Sequence, residues 1–268
     1  MNIGLIGFGT IGRAIAQAIH AGRAGQVELG CVLVRDLNKI SSMDVGLVAG
    51  RITTSADQFF AASLDVIIEA AGHAAVRQYA ERTLRSGRDF LMVSVGAFVD
   101  DELLSCVKRA AAQSGRRLMI PSGALGGLDA ISSAAIGALK EVTLVVRKPP
   151  VAWKGTQAEE AALRAAIEPV CFFEGTAREA AASYPQNVNV AAALSLAGVG
   201  LDQTRVRIYA DPAVEHNTFE LQARGDFGEI KLELKNRPYP GNPKTGHLVV
   251  MSLIKAIRRL QDSVVVGF

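Results

Sequence analysis

Three glycines near the amino end, Gly7, Gly9 and Gly12, stand in the spacing G-x-G-x-x-G, with Phe8, Thr10 and Ile11 filling the gaps. Before them runs Ile3-Gly4-Leu5-Ile6, an apolar stretch of the kind that forms a buried strand, and after them Ile15, Ala18 and Ile19 join Ile11 on one helical face. A strand that turns into a helix this way leaves the first helical N–H groups open to an anion, as a dinucleotide pyrophosphate requires. Gly7 gives the tight turn, Gly9 leaves the backbone bare toward the phosphates, and Gly12 lets helix and strand approach closely. Gly7, Phe8, Gly9, Thr10, Ile11 and Gly12 are therefore candidate cofactor contacts.

The far end of such a cofactor is read by the residue that closes the second strand. Val27 to Val34 is strand-like and ends at Arg35-Asp36, about two dozen residues beyond Gly12. A carboxylate at Asp36 accepts both hydroxyls of the adenosine ribose and repels a 2′-phosphate, which points to NAD. The guanidinium of Arg35 stacks on adenine or pairs with that phosphate, so NADP stays open as a second cofactor. The plainer alternative makes both residues solvated turn positions.

Proton chemistry has its best candidate in Asp211-Pro212-Ala213-Val214-Glu215-His216, because histidine exchanges protons near neutral pH and Glu215 flanks it. A lone hairpin histidine is also a common inert residue. His73, just past Glu69-Ala70-Ala71-Gly72, competes for a place near the cofactor. The turn Ser122 to Asp129, with Gly126 and Gly127 as a hinge, offers backbone N–H groups to a carboxylate or to nicotinamide, and reads equally as a plain turn capping the helix that starts near Asp129. Asn187 and Asn189 open an apolar helix; Asn187 reads equally as an N-cap, whereas Asn189 lies inside the apolar run. Arg147, Lys148, Lys154 and Lys244 are the cations available to a dicarboxylate.

The elements that must position these residues fall into two patterns. Up to Pro121, strands at 64–69, 89–94 and 117–121 alternate with helices at 74–86 and 101–114, which predicts a Rossmann-type doubly wound parallel sheet. From Ser122, the segments 141–147, 204–210, 216–223 and 229–235 alternate apolar and polar residues, with helices near 156–166, 176–183 and 188–198. That predicts a second, α+β domain with a mostly antiparallel sheet. A final helix from Gly246 to Leu260, capped by Thr245, is expected to return to the nucleotide domain. The division is thus 1–121 with 246–268 for the dinucleotide domain, and 122–245 for the substrate and dimerisation domain.

A formal charge of +3, from 29 basic and 26 acidic residues, gives no basic field, and no Lys/Arg block suggests nucleic acid. Cys31, Cys106 and Cys171 are odd in number and far apart, which argues against a disulfide framework or a metal site and fits a reducing cytoplasm. The first apolar run reads as a strand rather than a signal peptide, and the longest later run, 188–201, is too short to span a bilayer. An open sheet makes a homodimer the expected assembly.

Together, GFGTIG, PSGALGGLDA, RKPP at 147–150, PQNVNVAAALSLAG at 185–198, the ADP segment before His216 and NPKTG at 242–246 resemble the L-aspartate dehydrogenase family over nearly the whole chain. The resemblance implies that His216 is the active-site residue and that Ala124 and Asn189 occupy positions that contact NAD. It implies reversible oxidation of L-aspartate to iminosuccinate, then oxaloacetate and ammonia, which in some members feeds NAD biosynthesis. His247 departs from common family patterns and reads as surface variation. Two alternatives stay open: an imine or semialdehyde oxidoreductase similar to dihydrodipicolinate reductase, and a non-catalytic dinucleotide sensor.

Overall fold

The computed structural model describes residues 1–40, 44–165, 167–184, 188–240 and 242–267. The chain divides into two compact units, Met1–Pro121 with Val250–Val266, and Ser122–Val249 with Gly267.

In the first unit the elements are β1 (Asn2–Ile6), α1 (Thr10–His20), β2 (Glu28–Leu33), α2 (Val45–Val48), β3 (Ile52–Thr53), α3 (Ala56–Ala61), β4 (Val66–Glu69), α4 (His73–Arg85), β5 (Asp89–Met92), α5 (Asp101–Ser114) and β6 (Leu118–Met119). The strands pair in the order β3-β2-β1-β4-β5-β6, and every pairing is parallel. Parallel strands are covered on both faces, so they need near-continuous apolar runs. All four residues of β4 and of β5 are buried accordingly. The strand order reverses between β1 and β4, and the carboxyl ends of those strands border the crevice where such folds bind ligands.

Local signals set the ends of the covering helices. The Asp100 carboxylate accepts from the Leu103 N–H at 3.1 Å to begin α5, and Gly115 in the left-handed region ends it. β5 and β6 are tied by Asp89, which accepts from Arg117 N at 2.8 Å and Nε at 2.9 Å.

The second unit contains α6 (Leu128–Ala134), β7 (Leu139–Lys148), α7 (Glu159–Arg164), β8 (Val170–Thr176), α8 (Ala177–Ser183), α9 (Val188–Ala197), β9 (Arg205–Ala210), β10 (Asn217–Gly225), β11 (Gly228–Asn236), β12 (Pro238–Tyr239), β13 (Asn242–Gly246) and the start of α10 (His247–Arg259). Five strands form one sheet in the order β11-β10-β7-β9-β8, antiparallel except for β7 beside β9. One face is apolar, with Leu144, Val146, Val206, Ile208, Phe219 and Leu221 buried. α9 is apolar all round and buries Ala191 to Ser195.

Several expectations are corrected. β8 was not among the expected strands: its register slips between Cys171 and Phe173, so the period-two signal is broken there. The helix expected near 156–166 is confined to α7, because Thr156 turns back to donate to the Trp153 carbonyl at 2.6 Å. Thr245 is no N-cap: it lies in β13, where its Oγ1 accepts from the Asn242 amide at 3.1 Å. The second unit runs to Val249 rather than 245, since the His247 N–H donates to the Arg237 carbonyl at 2.9 Å and holds the first turn of α10 there. From Val250 onward the helix belongs to the first unit, with Val250, Leu253 and Ile257 buried.

Candidate active site

Each glycine of the loop after β1 has its own steric reason. Gly7 has φ +96°, and a Cβ there would lie 2.7 Å from the Ala70 carbonyl oxygen. A Cβ on Gly12 would run into the Gly7 carbonyl, whereas one on Gly9 would meet nothing within 4 Å. Gly9 therefore stays glycine-like in front of open space while its neighbours are crowded behind it. α1 starts from Gly9 with no capping side chain and no acidic residue in its first turn. The positive end of its dipole faces this loop, where such a helix start receives an anion.

That loop lines one wall of a cleft of about 640 Å³. Gly7, Phe8 and Gly9 are at its surface, Arg35 and Asp36 form another part, and Ala70 and Ala71 a third. Thr10, Ile11 and Gly12 follow as the first turn of α1 and are not in the lining. Asp36 is both a turn residue and a cleft residue: one carboxylate oxygen accepts from the Asn38 N–H at 3.0 Å. Arg35 is exposed beside it. The open approach over Gly9, the bare helix end and the carboxylate at the far wall fit a dinucleotide.

Glu69 was missed as a site residue. It is fully buried at the end of β4, where Oε1 accepts from Ala71 N at 2.7 Å, Gly72 N at 2.7 Å and Ser94 Oγ at 2.9 Å. Its Oε2 accepts from Ser94 N at 3.1 Å. One carboxylate thus fixes the Ala70–Gly72 loop of the cleft and the turn after β5. An acid ending an otherwise apolar strand was the available signal. His73 begins α4 but does not line the cleft.

The remaining candidates lie in the second unit. His216 is half-buried just before β10, with Nδ1 2.9 Å from the Glu215 carbonyl oxygen. A carbonyl only accepts, so Nδ1 carries the hydrogen and Nε2 presents its lone pair. Glu215 meets the imidazole through its main chain, not through the carboxylate expected to tune it. The loop is anchored by Asp211, which is buried: Oδ1 accepts from Ala213 N at 2.9 Å and Oδ2 from Arg147 at 3.2 Å. Arg147 also donates to Glu220 at 2.5 Å and stacks 4.3 Å from the centroid of Tyr209. It is a structural cation of the sheet face, engaged on three sides.

Lys148 differs. It keeps some exposed surface, but its Nζ is enclosed by protein 5.0 Å from the Trp153 ring centroid, and burial pulls its pKa down to about 8. Lys154 is exposed, and the side chain of Lys244 lies outside the described residues, as do Pro185, Gln186 and Asn187. Asn189 sits half-buried in the first turn of α9. In the turn after Pro121, Gly123 and Gly127 have φ +64° and +78°, and Gly127 precedes α6. The carbonyl of Ala124 accepts from the buried Asn236 amide at 2.8 Å, a contact sequence reasoning did not anticipate. His247, read as surface variation, is half-buried and packs edge-on at 5.3 Å against Tyr239.

Comparison with known proteins agrees with both halves of this arrangement. Residues 7–121 match the family described as homoserine dehydrogenase, NAD binding domain, and residues 129–260 match aspartate dehydrogenase, C-terminal. An L-aspartate dehydrogenase of Brucella anthropi is 44% identical over 96% of this chain and 95% of its own. One of Methanosarcina barkeri is 37% identical over 100% and 99%. The crystal structure of aspartate dehydrogenase from Thermotoga maritima superposes with a TM-score of 0.77 at 25% identity, covering 100% of this chain and 99% of that one. The chain belongs to the L-aspartate dehydrogenase family.

Proposed function

We propose that the protein catalyses reversible NAD-dependent oxidation of L-aspartate to iminosuccinate, which water converts to oxaloacetate and ammonia. The observation that carries this reading is His216, held with Nε2 as its accepting nitrogen in a chain whose full-length relatives are L-aspartate dehydrogenases.

When bound, NAD supplies the hydride acceptor for the substrate Cα. The turn Gly7-Phe8-Gly9-Thr10-Ile11-Gly12 and the start of α1 hold the pyrophosphate, and Asp36 accepts from the adenosine ribose hydroxyls. Arg35, exposed at the same rim, gives NADP a partner for its 2′-phosphate. Ala124 and Asn189 are assigned to the cofactor by their family positions. Two protons must move as the imine forms and is hydrolysed, one from the substrate ammonium and one from the attacking water, and His216 Nε2 is an acceptor for this chemistry.

The first unit, completed by the C-terminal helix, is the cofactor domain, and the second holds substrate and forms a homodimer in the cytoplasm. Free cysteines at 31, 106 and 171 support a reducing compartment. Among the described residues no helix is long and apolar enough to cross a membrane. The test is NADH formation by the purified protein from NAD and L-aspartate. Aspartate-dependent formation supports the reading, and its absence in a protein that binds NADH refutes it.

A further inference from the structure

β11 is an outer strand of the five-stranded sheet, and among the described residues no strand pairs with its free edge. The two edges of this sheet are built differently. β8, on the far side, slips register between Cys171 and Phe173, the kind of irregularity that turns an edge out of line. β11 runs for nine residues, Gly228 to Asn236, in unbroken register with β10. A long, regular edge of unpaired N–H and C=O groups is a template for another strand.

The side chains of β11 carry a pattern that a single copy leaves unused. On one face stand Glu229, Lys231, Glu233 and Lys235, all exposed; on the other stand Ile230, Leu232 and Leu234, all half-buried. These three apolar residues lie opposite Ala223, Leu221 and Phe219 of β10, which are buried. The apolar layer of the sheet is thus closed as far as β10 and ends half-covered at β11. The charges alternate in sign, so the order Glu-Lys-Glu-Lys is its own complement when read backward.

A two-fold axis through Leu232, normal to the sheet, sets two copies of β11 antiparallel. Glu229 then meets Lys235 of the second copy, and Lys231 meets Glu233, so every charge on this face of the strand stands opposite the other sign. On the apolar face Leu232 meets its own copy and Ile230 meets Leu234, which continues the half-covered layer from one copy into the next. The neighbouring registers lack this match. A slip of two residues either way sets Lys231 or Glu233 against itself, and a slip of one exchanges the faces. Parallel alignment in register sets every charge against its own kind.

We propose that β11 is the interface between two copies of this chain, joined edge to edge and antiparallel about Leu232, so that the two second units share one continuous sheet. This rests on the homodimer reading above and names its surface. Within one copy Glu229 meets Arg224 at 2.9 Å and Lys231 at 3.3 Å, and Glu233 meets Lys235 at 3.2 Å. These ion pairs are exposed and individually weak, so the same charges can be shared across the axis. The interface adjoins the candidate site. Leu232 and Leu234 lie 3.4 and 3.5 Å from where a Cβ on Gly126 would stand, in the turn whose Ala124 carbonyl is held by Asn236, the last residue of β11.

The experiment measures the dimer dissociation constant by sedimentation equilibrium for the wild-type protein, Lys231→Glu and Glu233→Lys, with circular dichroism and NADH binding to show that each is folded. Each substitution sets like charges opposite one another at two symmetry-related places, and should raise that constant about tenfold or more. Mixed in equal amounts, the two variants should regain wild-type affinity, because each then supplies the charges the other lacks at every pairing. Leu232→Cys should cross-link to its own copy on mild oxidation where wild type does not, since directly opposed strand residues have Cα atoms about 4.5–5.5 Å apart, within disulfide reach. A wild-type dimer whose affinity neither charge reversal changes would overturn the proposal and leave the homodimer on another surface. So would a mixture no tighter than its components, or a folded Leu232→Cys that does not cross-link. A wild-type protein that stays monomeric would refute the homodimer reading itself.

Discussion

Glu69→Gln tests whether one buried carboxylate organises the cofactor cleft. In the wild type four donors converge on Glu69, three on Oε1 and one on Oε2. Glutamine keeps an oxygen for the first three but sets an NH₂ group against the Ser94 N–H, so one bond is lost and two donors face each other in a dry site. Losing a hydrogen bond to a charged group costs about 1.5–3 kcal/mol, and the three that remain weaken against a neutral acceptor. The sum is about 2–4 kcal/mol. At about 2–4 °C per kcal/mol, the melting temperature should fall by roughly 4–16 °C, read in the transition that carries the first unit. Ala70 and Ala71 line the cleft, so a loop displacement costing about 1 kcal/mol of binding lowers NADH affinity roughly fivefold. Thermal circular dichroism and a fluorescence titration with NADH measure both. A melting temperature within about 1 °C of wild type, together with unchanged NADH affinity, would refute the reasoning.

His216→Ala should lower kcat for aspartate oxidation about a hundredfold or more while NADH affinity, measured by fluorescence titration, stays within about twofold. Asp36→Ala should weaken NAD by about tenfold and leave NADP nearly unchanged, since only the unphosphorylated ribose uses the carboxylate; equal changes in the two KM values would sink that assignment. Gly12→Ala places a methyl group against the Gly7 carbonyl, and α1 must shift off the sheet to relieve it. Overpacking of this kind costs about 1–3 kcal/mol, to be seen as a lower denaturation midpoint with weaker NADH binding.

What the sequence reveals about this molecule follows the range of the interactions involved. The positions of the glycine loop and of Asp36 on the cleft are legible because their signals are local: a turn, a helix start, and a carboxylate at the end of the next strand. The parallel sheet of the first unit is legible because strands covered on both faces must be apolar throughout. β8 is not, since its slipped register at Cys171–Phe173 removes the alternation that marks a half-covered strand. Asn236 and Glu69 act on Ala124 and Ser94, positions that only the folded chain brings to them. Lys148 reads as one of several surface cations until the fold seats its amine beside Trp153. His216 carries no local signal beyond its residue type, and it was the family resemblance that singled it out.

The central claim is tested most directly by following NADH oxidation by the purified protein with oxaloacetate, with and without ammonium, and with NADPH in place of NADH. The account predicts turnover that requires ammonium and yields L-aspartate, with NADH preferred over NADPH because of Asp36. Turnover that is indifferent to ammonium, or no turnover in a protein that demonstrably binds NADH, would contradict it.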